Sequence, residues 1–593
     1  MQDAGTVLGI LRERGRKGLP CDELYRQLFN PQLYLLAHGR IYSNQGAMTP
    51  GATQETADGM SMGKIGAIIE AMRCERYRFS PARRTYIPKK NGKLRPLGLP
   101  AWPDKLAGEV VRLLLEAYYE PQFSHRSHGF RPGRGCHTAL RDIAIGWTGT
   151  TWFIEGDISD CSGSLDHDVM IGVLAEKIRD NRFLRLIRNM LTAGYREDWR
   201  WNATLSGAPQ GGVVSPILSS IYLHKLDSYA ETVLIPQHTR GARRAPSRAH
   251  DAIRQAIVRA RRRGDRAKAR QLGRQLRTLP SQDPRDPGCR RLRYSRYADD
   301  HLLGFTGPKA EAEQIRDQLA AFLRDELKLE LNASKTLITH ARTRAARYLG
   351  YEITAQHDDS KITRGRRPVN GVIALRVPRD VITAKCAPCL RHGKPEARTA
   401  LCNLDDYDIV AAYGAEYRGI VQYCLLATDV WRLSRLRWAA GTSMLKTLAA
   451  KHSPTVTAMA ARHKAKIQTP HGIRTCFEAR AERDGKQPLV ARPGGIPLVR
   501  RKAAVLTDRA PAPVPPYPVK ELTIRLRRGR CEPCEEPAKV QIHQIRKLAQ
   551  PGKSGPGLPP WAALMARKRR KTLMVCHPRH NTIHHGQPTA TTA

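Results

Sequence analysis

Long apolar runs are missing from this sequence of 593 residues. None approaches the roughly 18 apolar residues that a membrane-spanning helix needs, and residues 1–15 lack the features of a signal peptide. We therefore expect no membrane partner. The 13 cysteines are mostly scattered, which predicts a reducing compartment and no disulfide framework. No fixed-period repeat is present, which argues against solenoids and propellers.

Acidic residues are also scarce relative to basic ones. The chain has 100 Lys and Arg against 54 Asp and Glu, a formal charge of +46. An excess of this size indicates a polyanionic partner, with nucleic acid as the default and a membrane surface second. The length predicts three to five domains. The strongly basic residues 236–290 are interpreted as an inserted helix pair that binds nucleic acid.

The stretch Tyr297-Ala298-Asp299-Asp300 is the centre of the prediction. Short apolar runs on both sides predict a tight β-hairpin with the carboxylates at its tip. Adjacent carboxylates repel each other and are tolerated when a divalent cation neutralises them. Because successive strand residues face opposite ways, Asp299 is the expected main ligand. An acidic turn without function is the alternative.

A third carboxylate follows an apolar strand predicted over residues 151–158. Asp157 ends that strand, where a carboxylate is costly unless it is paired or metal-bound. It is therefore a natural partner for the two hairpin carboxylates. The alternative is a helix N-cap.

Two basic segments precede or flank this strand. The turn Lys90-Asn91-Gly92 predicts a hairpin that closes over a triphosphate or grips a nucleic-acid backbone, although a merely solvated hairpin is equally consistent. The loop 127–140 enters a helix, and its amides with Arg131 and Arg134 suit phosphate. Residues 206–227 are a glycine-rich turn that feeds an apolar helix.

The second half of the chain divides by composition. We predict one strand over 347–353, helices over 354–460 and an irregular basic stretch over 461–510. Residues 511–518 are a stiff proline-rich linker and the clearest domain boundary. The last segment predicts a zinc module because cysteines and histidines cluster there. Its candidate ligands are Cys531, Cys534, His543, Cys576, His577, His580 and His584.

The order of these segments resembles the reverse transcriptases that bacterial group II introns encode. The matching motifs, in order, are YIPKKNGKLRPLGLP, SHGFRPGRGCHTAL, FIEGDI, GAPQGGVVSPILSSIYLHKLD, YADD, LELNASKT, RYLGYEI, YRGIVQY and SMLKTLAAKH. The end of the chain resembles the HNH endonuclease of many family members.

The resemblance implies an α+β fold with a right-hand polymerase core, a helical thumb and a small zinc-dependent HNH module of the ββα-metal type. The implied domains are an N-terminal extension (1–80), fingers and palm (81–360), thumb or maturase domain (361–460), a basic DNA-binding region with the linker (461–525) and the HNH module (526–593).

The resemblance also implies the active site. Asp157, Asp299, Asp300 and the backbone of Ile158 would hold two Mg²⁺, one activating the primer 3′-hydroxyl and the other neutralising the leaving pyrophosphate. The positions implied to bind the incoming nucleotide are Lys93, Arg95, Ile158, Ser162, Gln210 and Lys335.

Three positions depart from the family pattern. Ser162 stands where an aromatic ring excludes ribonucleotides. Gln544 replaces the second of two histidines, the general base, and cannot accept a proton at neutral pH. Arg579 replaces the last zinc cysteine, which leaves Cys531, Cys534 and Cys576 with His577 as a substitute ligand. His543, His580 and His584 are still expected to hold the endonuclease metal.

The expected function is RNA-directed DNA polymerase and splicing maturase, supporting intron mobility by target-primed reverse transcription, with an impaired endonuclease. The expected partners are group II intron RNA, target DNA and dNTPs, in the bacterial cytoplasm and at the nucleoid during mobility. The oligomeric state stays open. One alternative is an RNA-binding maturase with an inactive polymerase. Another is a retron or diversity-generating reverse transcriptase, which usually lacks the maturase-like and zinc regions.

Overall fold

A computed structural model describes most of the chain. The described residues are 2–44, 46–88, 92, 94–198, 200–204, 206–207, 211–283, 286–363, 367–469, 472–483, 486–508, 521–546, 559–568 and 570–585. Lys93, Gln210 and the proline-rich linker 511–518 lie outside these residues. No described helix is both long and apolar enough to cross a membrane.

Helices make up most of the regular structure in the described residues. They are α1 (Ala4–Arg16), α2 (Pro31–Ile41), α3 (Met62–Arg73), α4 (Trp102–Tyr119), α5 (Cys136–Gly146), α6 (Cys161–Ser164), α7 (His167–Ala175), α8 (Asn181–Leu191), α9 (Ser215–Tyr229), α10 (Ile235–Gln237), α11 (Arg248–Arg262), α12 (Arg266–Thr278), α13 (Lys309–Leu327), α14 (Arg379–Cys386), α15 (Asp406–Tyr423), α16 (Ser434–His452), α17 (Val456–His463), α18 (Glu521–Arg528), α19 (Pro560–Lys568) and α20 (His577–His585).

The strands are short and form several small sheets. They are β1 (Ala82–Pro88), β2 (Leu94–Leu99), β3 (Trp152–Gly156), β4 (Tyr195–Glu197), β5 (Arg200–Asn202), β6 (Arg291–Tyr297), β7 (Asp300–Thr306), β8 (Leu337–His340), β9 (Ala346–Tyr348), β10 (Tyr351–Ala355), β11 (Ile373–Arg376), β12 (Leu390–Arg391), β13 (Lys394–Pro395), β14 (Lys464–Thr469), β15 (Gly472–Phe477), β16 (Ala479–Arg483), β17 (Lys486–Ala491), β18 (Val540–Gln544) and β19 (Thr572–Cys576).

Four antiparallel strands form the sheet that carries the predicted carboxylates, in the order β6-β7-β3-β8. We call it the carboxylate sheet. Successive residues of a strand face opposite ways, and here both faces are buried. Phe153 and Leu302 belong to one hydrophobic core, and their neighbours Ile154 and Leu303 belong to the other. The sheet therefore lies between the two cores.

The first core joins the two ends of the chain. It contains side chains of α1 to α4, α7 to α9 and α13, and also Leu522, Leu526, Ile542 and Met574 of the C-terminal module. The second core contains α5 and α14 to α17. The C-terminal module thus packs on the N-terminal helices rather than on the helices that precede it in sequence.

Helix α4 shows why the first core forms. Its apolar positions recur with helical spacing, and Leu106, Val110 and Leu114 are completely buried. Burying one such side chain contributes about 1.5–3 kcal/mol. Arg112 is also buried, and it is satisfied by Glu109 and Glu116 one turn away on either side. Because the partners of this buried charge lie on the same helix, α4 can be surrounded by the core without leaving the charge unpaired.

The local predictions are mostly confirmed. The basic hairpin is β1 and β2, paired from Arg83↔Leu99 to Pro88↔Leu94. The basic insertion contains the helix pair α11 and α12. Asp157 is not a helix N-cap, since Asp160 takes that position for α6.

Two predictions for the second half were wrong, and the helices predicted over 354–460 are interrupted by the short strands β11, β12 and β13. Residues 347–353 form two strands, β9 and β10, because Leu349 and Gly350 adopt φ of 49° and 70° and turn the chain. The stretch 461–510 is not irregular, since it contains two antiparallel ribbons, β14–β15 and β16–β17. Exposed edges and a high basic content obscure the alternation of these strands in the sequence.

Candidate active site and metal centres

The tip of the β6–β7 hairpin is a two-residue turn. Tyr297 pairs with Asp300, which leaves Ala298 and Asp299 between the strands. Ala298 has a φ of 55°, in the left-handed region that non-glycine residues rarely adopt. A neighbouring loop packs closely here, since a Cβ on Gly129 would lie 2.4 Å from the Ala298 nitrogen. The surrounding structure therefore holds a strained turn, as often occurs at functional sites.

A buried ion pair clamps the base of this tip. Arg296 donates to both carboxylate oxygens of Asp227 on α9, at 2.7 and 2.5 Å, and both side chains are at most 1% exposed. Tyr294 donates to the same carboxylate at 2.9 Å. Arg296 also donates to the Ala298 carbonyl at 2.8 Å. The strained turn is thus tied to α9.

Strand pairing brings Asp157 to the hairpin tip. Gly156, the last residue of β3, pairs with His301 just after Asp300. Glycine is required because a Cβ there would lie 1.9 Å from His301 Nε2. Asp157 Oδ2 accepts hydrogen bonds from Lys335 Nζ at 2.7 Å and from Asn332 at 3.3 Å. The predicted third carboxylate therefore reaches the site, and Lys335 pairs with it.

Burial and neighbouring carboxylates raise the pKa of the two hairpin carboxylates, Asp299 and Asp300. Loss of water, followed by the neighbouring charges of Asp299 and Asp157, raises the pKa of Asp300 to about 6. Loss of water and the charge of Asp157 also raise the pKa of Asp299, while Arg95 and Lys335 lower it. Within the described residues, the oxygens of the three do not all lie within 4.8 Å of one another. Mutually repelling carboxylates fit a divalent cation, which would neutralise them.

The short helix α6 carries Ser162, where the family resemblance predicts an aromatic ring. Ser162 is partly buried there, and the glycine-rich turn rests on its neighbour Gly163. Ser206 donates to the Gly163 carbonyl at 2.9 Å, and a Cβ on Gly207 would lie 2.7 Å from the same oxygen. Ile158 is buried and forms a bridge to Leu331. The serine thus lies in a tight junction between α6 and the turn.

The phosphate prediction for the loop before α5 was wrong for Arg131. This side chain is 5% exposed, and it donates to Glu120 and to the carbonyls of Ser124 and Ser127. Arg134 donates to the carbonyl of His125 at 2.7 Å. Arg131 serves to fold the loop and is not available for a ligand.

The C-terminal module forms a ββα unit. Strand β18 pairs with β19, from Val540↔Cys576 to Gln544↔Thr572, and α20 follows. Its His543, His580 and His584 come together, and the ring centroids lie 4.7 to 5.6 Å apart. Asp58 from the N-terminal segment lies among them, with one oxygen 2.7 Å from His584 Nε2. Sequence reasoning missed Asp58, and no local pattern around it signals this role.

The three cysteines of the module also come together. One sulfur each from Cys531, Cys534 and Cys576 lies within 4.8 Å of the others. Burial raises the pKa of Cys531 to about 11. Although burial opposes it, hydrogen bonds from the Glu536 backbone and from other groups including Arg579 lower the pKa of Cys534. Arg579 therefore lies against the cluster at the position of the expected fourth cysteine.

His577 is not brought to the cysteines. Its Nδ1 lies 3.1 Å from Gln541 Nε2, and its Nε2 lies 3.3 Å from Asn581 Nδ2. It is absent from the cysteine group of the described residues. The expectation that His577 replaces the missing cysteine as fourth ligand is therefore wrong in this structure.

Three family models match this chain in order. They are reverse transcriptase (RNA-dependent DNA polymerase) over residues 87–242, type II intron maturase over 368–481, and AI2M/AI1M-like HNH endonuclease over 531–580. The group II intron-encoded protein LtrA of Lactococcus lactis is 35% identical, over 95% of each chain. The chain belongs to the group II intron-encoded proteins. An uncharacterized 91 kDa protein in the cob intron of Schizosaccharomyces pombe is 31% identical over 95% of this chain and 69% of its own.

Membership of this family assigns the activities. This group II intron-encoded protein is a reverse transcriptase and splicing maturase with a C-terminal HNH domain. Reverse transcriptase and HNH domains generally use divalent metals. Protein YkfC of Escherichia coli is 32% identical over 54% of this chain and 80% of its own.

Proposed function

We propose that this protein copies intron RNA into DNA at a site built from Asp157, Asp299 and Asp300, in a right-hand polymerase core. The observation that carries the proposal is the convergence of Asp157 with the strained hairpin tip, where burial and the neighbouring carboxylates raise the pKa of Asp299 and Asp300. Reverse transcription at a nicked target would then support intron mobility and take the protein to the nucleoid.

The side chains at this site would have different roles. The three carboxylates and the Ile158 carbonyl would hold two Mg²⁺, with Asp299 as the main ligand. When bound, the ions would favour ionisation of the primer 3′-hydroxyl and neutralise the leaving pyrophosphate. Lys335 forms an ion pair with Asp157. When a cation binds Asp157 instead, the ammonium group of Lys335 would contact the nucleotide.

The nucleotide would enter beside β2. Arg95 lies on this strand, opposite Ile87 in the basic hairpin, and its charge acts on Asp299. Arg95 would therefore bind the dNTP triphosphate, and the family resemblance adds Lys93 and Gln210, which lie outside the described residues. Ser162 would face the sugar in place of an aromatic ring.

Intron RNA would bind the basic surfaces outside the carboxylate sheet. No residue of α12 is buried, so its arginines and lysine face solvent along the whole helix. Exposed positive charge on a helix suits the phosphate backbone of folded RNA. We assign the thumb or maturase domain to 361–460 and contact with target DNA to 461–525.

The endonuclease is proposed to be impaired. Gln544 stands at the position of the general base, and its amide donates to the Tyr42 carbonyl at 2.8 Å. The three cysteines are proposed to bind Zn²⁺ weakly, because Arg579 lies at the position of a fourth thiolate.

Primer extension tests the proposal. Wild type with an RNA template, dNTPs and Mg²⁺ should give template-dependent product, and Asp299→Ala should reduce it by at least a thousandfold because a metal ligand is removed. Glu313→Ala, an exposed pair with Lys309 on α13, is the control and should extend normally.

The alternative, an RNA-binding maturase with an inactive polymerase, predicts a different result. Wild type would then bind and splice intron RNA yet extend no primer. Ser162 favours this alternative, whereas the intact carboxylate set argues against it. If Asp299→Ala still extends primers, Asp299 is not an essential metal ligand. The alternative with an inactive polymerase is then contradicted as well.

A further inference from the structure

A carboxylate from far along the chain joins the three histidines of the C-terminal module. Asp58 lies between α2 and α3. Its Oδ1 is 3.4 Å from His543 Nδ1 and 3.2 Å from His580 Nε2, and its Oδ2 is 2.7 Å from His584 Nε2. One ligand atom from each of the four lies within 4.8 Å of the others. Three imidazoles and a carboxylate are a donor set that suits Zn²⁺.

The ring of His543 points independently to a ligand at this place. The residue is 3% exposed, and within the described chain neither ring nitrogen has a hydrogen-bond partner. A buried polar group without a hydrogen-bond partner is unfavourable. Trp561 packs edge-on against the ring at 5.1 Å and limits its rotation. Nδ1 has only the 3.4 Å contact with Asp58 Oδ1, and a metal ion between the two atoms would satisfy both.

Backbone contacts hold Asp58 at the histidines. Gly59 N donates to the Ile542 carbonyl at 2.8 Å, and Ile542 N donates to the Met60 carbonyl at 3.0 Å. The loop thereby pairs with β18 as a short strand. Gln544 N also donates to Asp58 Oδ1 at 2.7 Å. The carboxylate is therefore positioned by the docking of the module, which reduces the cost of ordering a ligand when an ion binds.

Coordination number decides what such a site can do. A catalytic metal site keeps a position open for water or substrate, whereas a structural zinc site is closed by four protein ligands. Here Asp58 would supply the fourth ligand. Gln544, at the position of the general base, is occupied by the same docked segment through Tyr42. The arrangement matches a closed site.

We propose that Asp58, His543, His580 and His584 bind one Zn²⁺ in a closed site that fastens the C-terminal module to the N-terminal segment. The ion acts as a structural link between Asp58 and histidines far along the chain, such as His580 and His584, which lie 522 and 526 positions away. This inference goes beyond the proposed polymerase function and does not depend on it.

Metal titration of the full-length protein tests the site. The protein is stripped with a chelator and titrated with Co²⁺, whose visible bands report a four-coordinate site, and then with Zn²⁺ in competition. Asp58→Asn keeps the oxygen that accepts from Gln544 N but removes the charge. Glu55→Gln is the matched control, since Glu55 is an acidic neighbour that pairs with Lys64 at 3.2 Å.

In wild type and in Glu55→Gln, one Co²⁺ should bind at the histidines. It should give visible bands without adding to the thiolate absorption. Asp58→Asn should bind this ion at least tenfold more weakly. Absorption from the cysteine cluster, which arises from thiolates, should be the same in all three. Equal affinity in Asp58→Asn, or no Co²⁺ bound outside the cysteines in wild type, would overturn the proposal.

Hydrogen exchange gives a second readout that does not use absorption. Zn²⁺ should slow amide exchange in residues 57–61 and in β18 of wild type, and should have no such effect in Asp58→Asn. His584→Ala removes a ligand at the more exposed end of the cluster and should lose the same ion even if Asp58→Asn disturbs the loop. Zn²⁺ protection that persists in both variants would contradict the link. Primer extension is not expected to decide either way.

Discussion

At the scale of single residues, we propose that Ser162 stands where the family pattern has an aromatic ring. We predict that Ser162→Phe raises the preference for dNTP over rNTP by about tenfold or more, because one well-placed contact discriminates by that amount. The measurement is incorporation of each nucleotide by wild type and variant in single-turnover primer extension.

A change of equal size nearby provides the control. Ser164→Phe, at the end of the same helix α6, should leave the ratio of dNTP to rNTP unchanged. Identical ratios in wild type and Ser162→Phe would show that this serine is not the sugar gate.

His128 gives the fold a dependence on pH. Burial, followed by the charges of Arg134 and Arg131, lowers the pKa of His128 to about 3. The unfolded chain, with an ordinary histidine pKa, binds a proton that the folded chain excludes. Stability is therefore complete above about pH 6.5 and is lost as the pH falls from there towards 3.

We predict that His128→Gln removes this loss. Between pH 7 and pH 5, wild type should lose about 1–2 kcal/mol more unfolding free energy than the variant. One group can contribute at most about 1.4 kcal/mol per pH unit, and the expected loss over these two units is smaller than that maximum. Urea unfolding at both pH values measures it. Parallel losses in the two proteins would mean that another group is responsible.

At the scale of elements, the link between the β6–β7 hairpin and α9 is the critical contact. Asp227→Ala would leave Arg296 buried and unpaired, and we predict a loss of about 3–5 kcal/mol of unfolding free energy. The double variant Asp227→Leu/Arg296→Met should recover much of this loss. Chemical denaturation measures both.

The same pair has a consequence for activity. Because Arg296 also holds the Ala298 carbonyl, the double variant should fold but extend primers more slowly than wild type. Asp317→Ala breaks an exposed ion pair on α13 and should change neither property. Full activity in the double variant would show that the strained turn needs no clamp.

Elements were predictable where their signals are local. Apolar runs around Tyr297–Asp300 specify the hairpin, and the strand ending at Asp157 follows from its composition, so both could be found from sequence. The ribbons over 464–491 were missed because their exposed faces carry charge. His577 was wrongly assigned because spacing does not reveal which way a side chain on α20 faces.

At the scale of the whole molecule, the net charge of +46 should govern RNA binding. Changing Arg266, Lys268, Arg270 and Arg274 on α12 to Gln should weaken intron RNA binding at 0.1 M salt. The slope of log affinity against log salt should fall by about 0.7–0.9 for each RNA phosphate that the variant no longer neutralises. Filter binding across a salt series measures both quantities.

A control separates this surface from general charge. Arg316 and Arg324 on α13 pair with neighbouring aspartates, and changing both to Gln should alter the slope much less. If the α12 variant keeps the slope of wild type, the helix pair does not contact intron RNA.

The assembly of the two ends was beyond prediction. Each of the three histidines could be chosen as a candidate from the sequence, because they cluster near the end of the chain. Asp58 could not, since 486 residues separate it from Gln544 and only tertiary packing brings them together.

Because of this separation in sequence, the ribosome makes the two contacting segments at different times. At roughly 5–20 residues per second, a ribosome makes Asp58 about 25–100 s before β18. During that interval the N-terminal loop lacks its partner strand. Only a chain translated through β18 can form the backbone contacts between the two ends. These contacts therefore distinguish chains that include β18 from chains truncated before it.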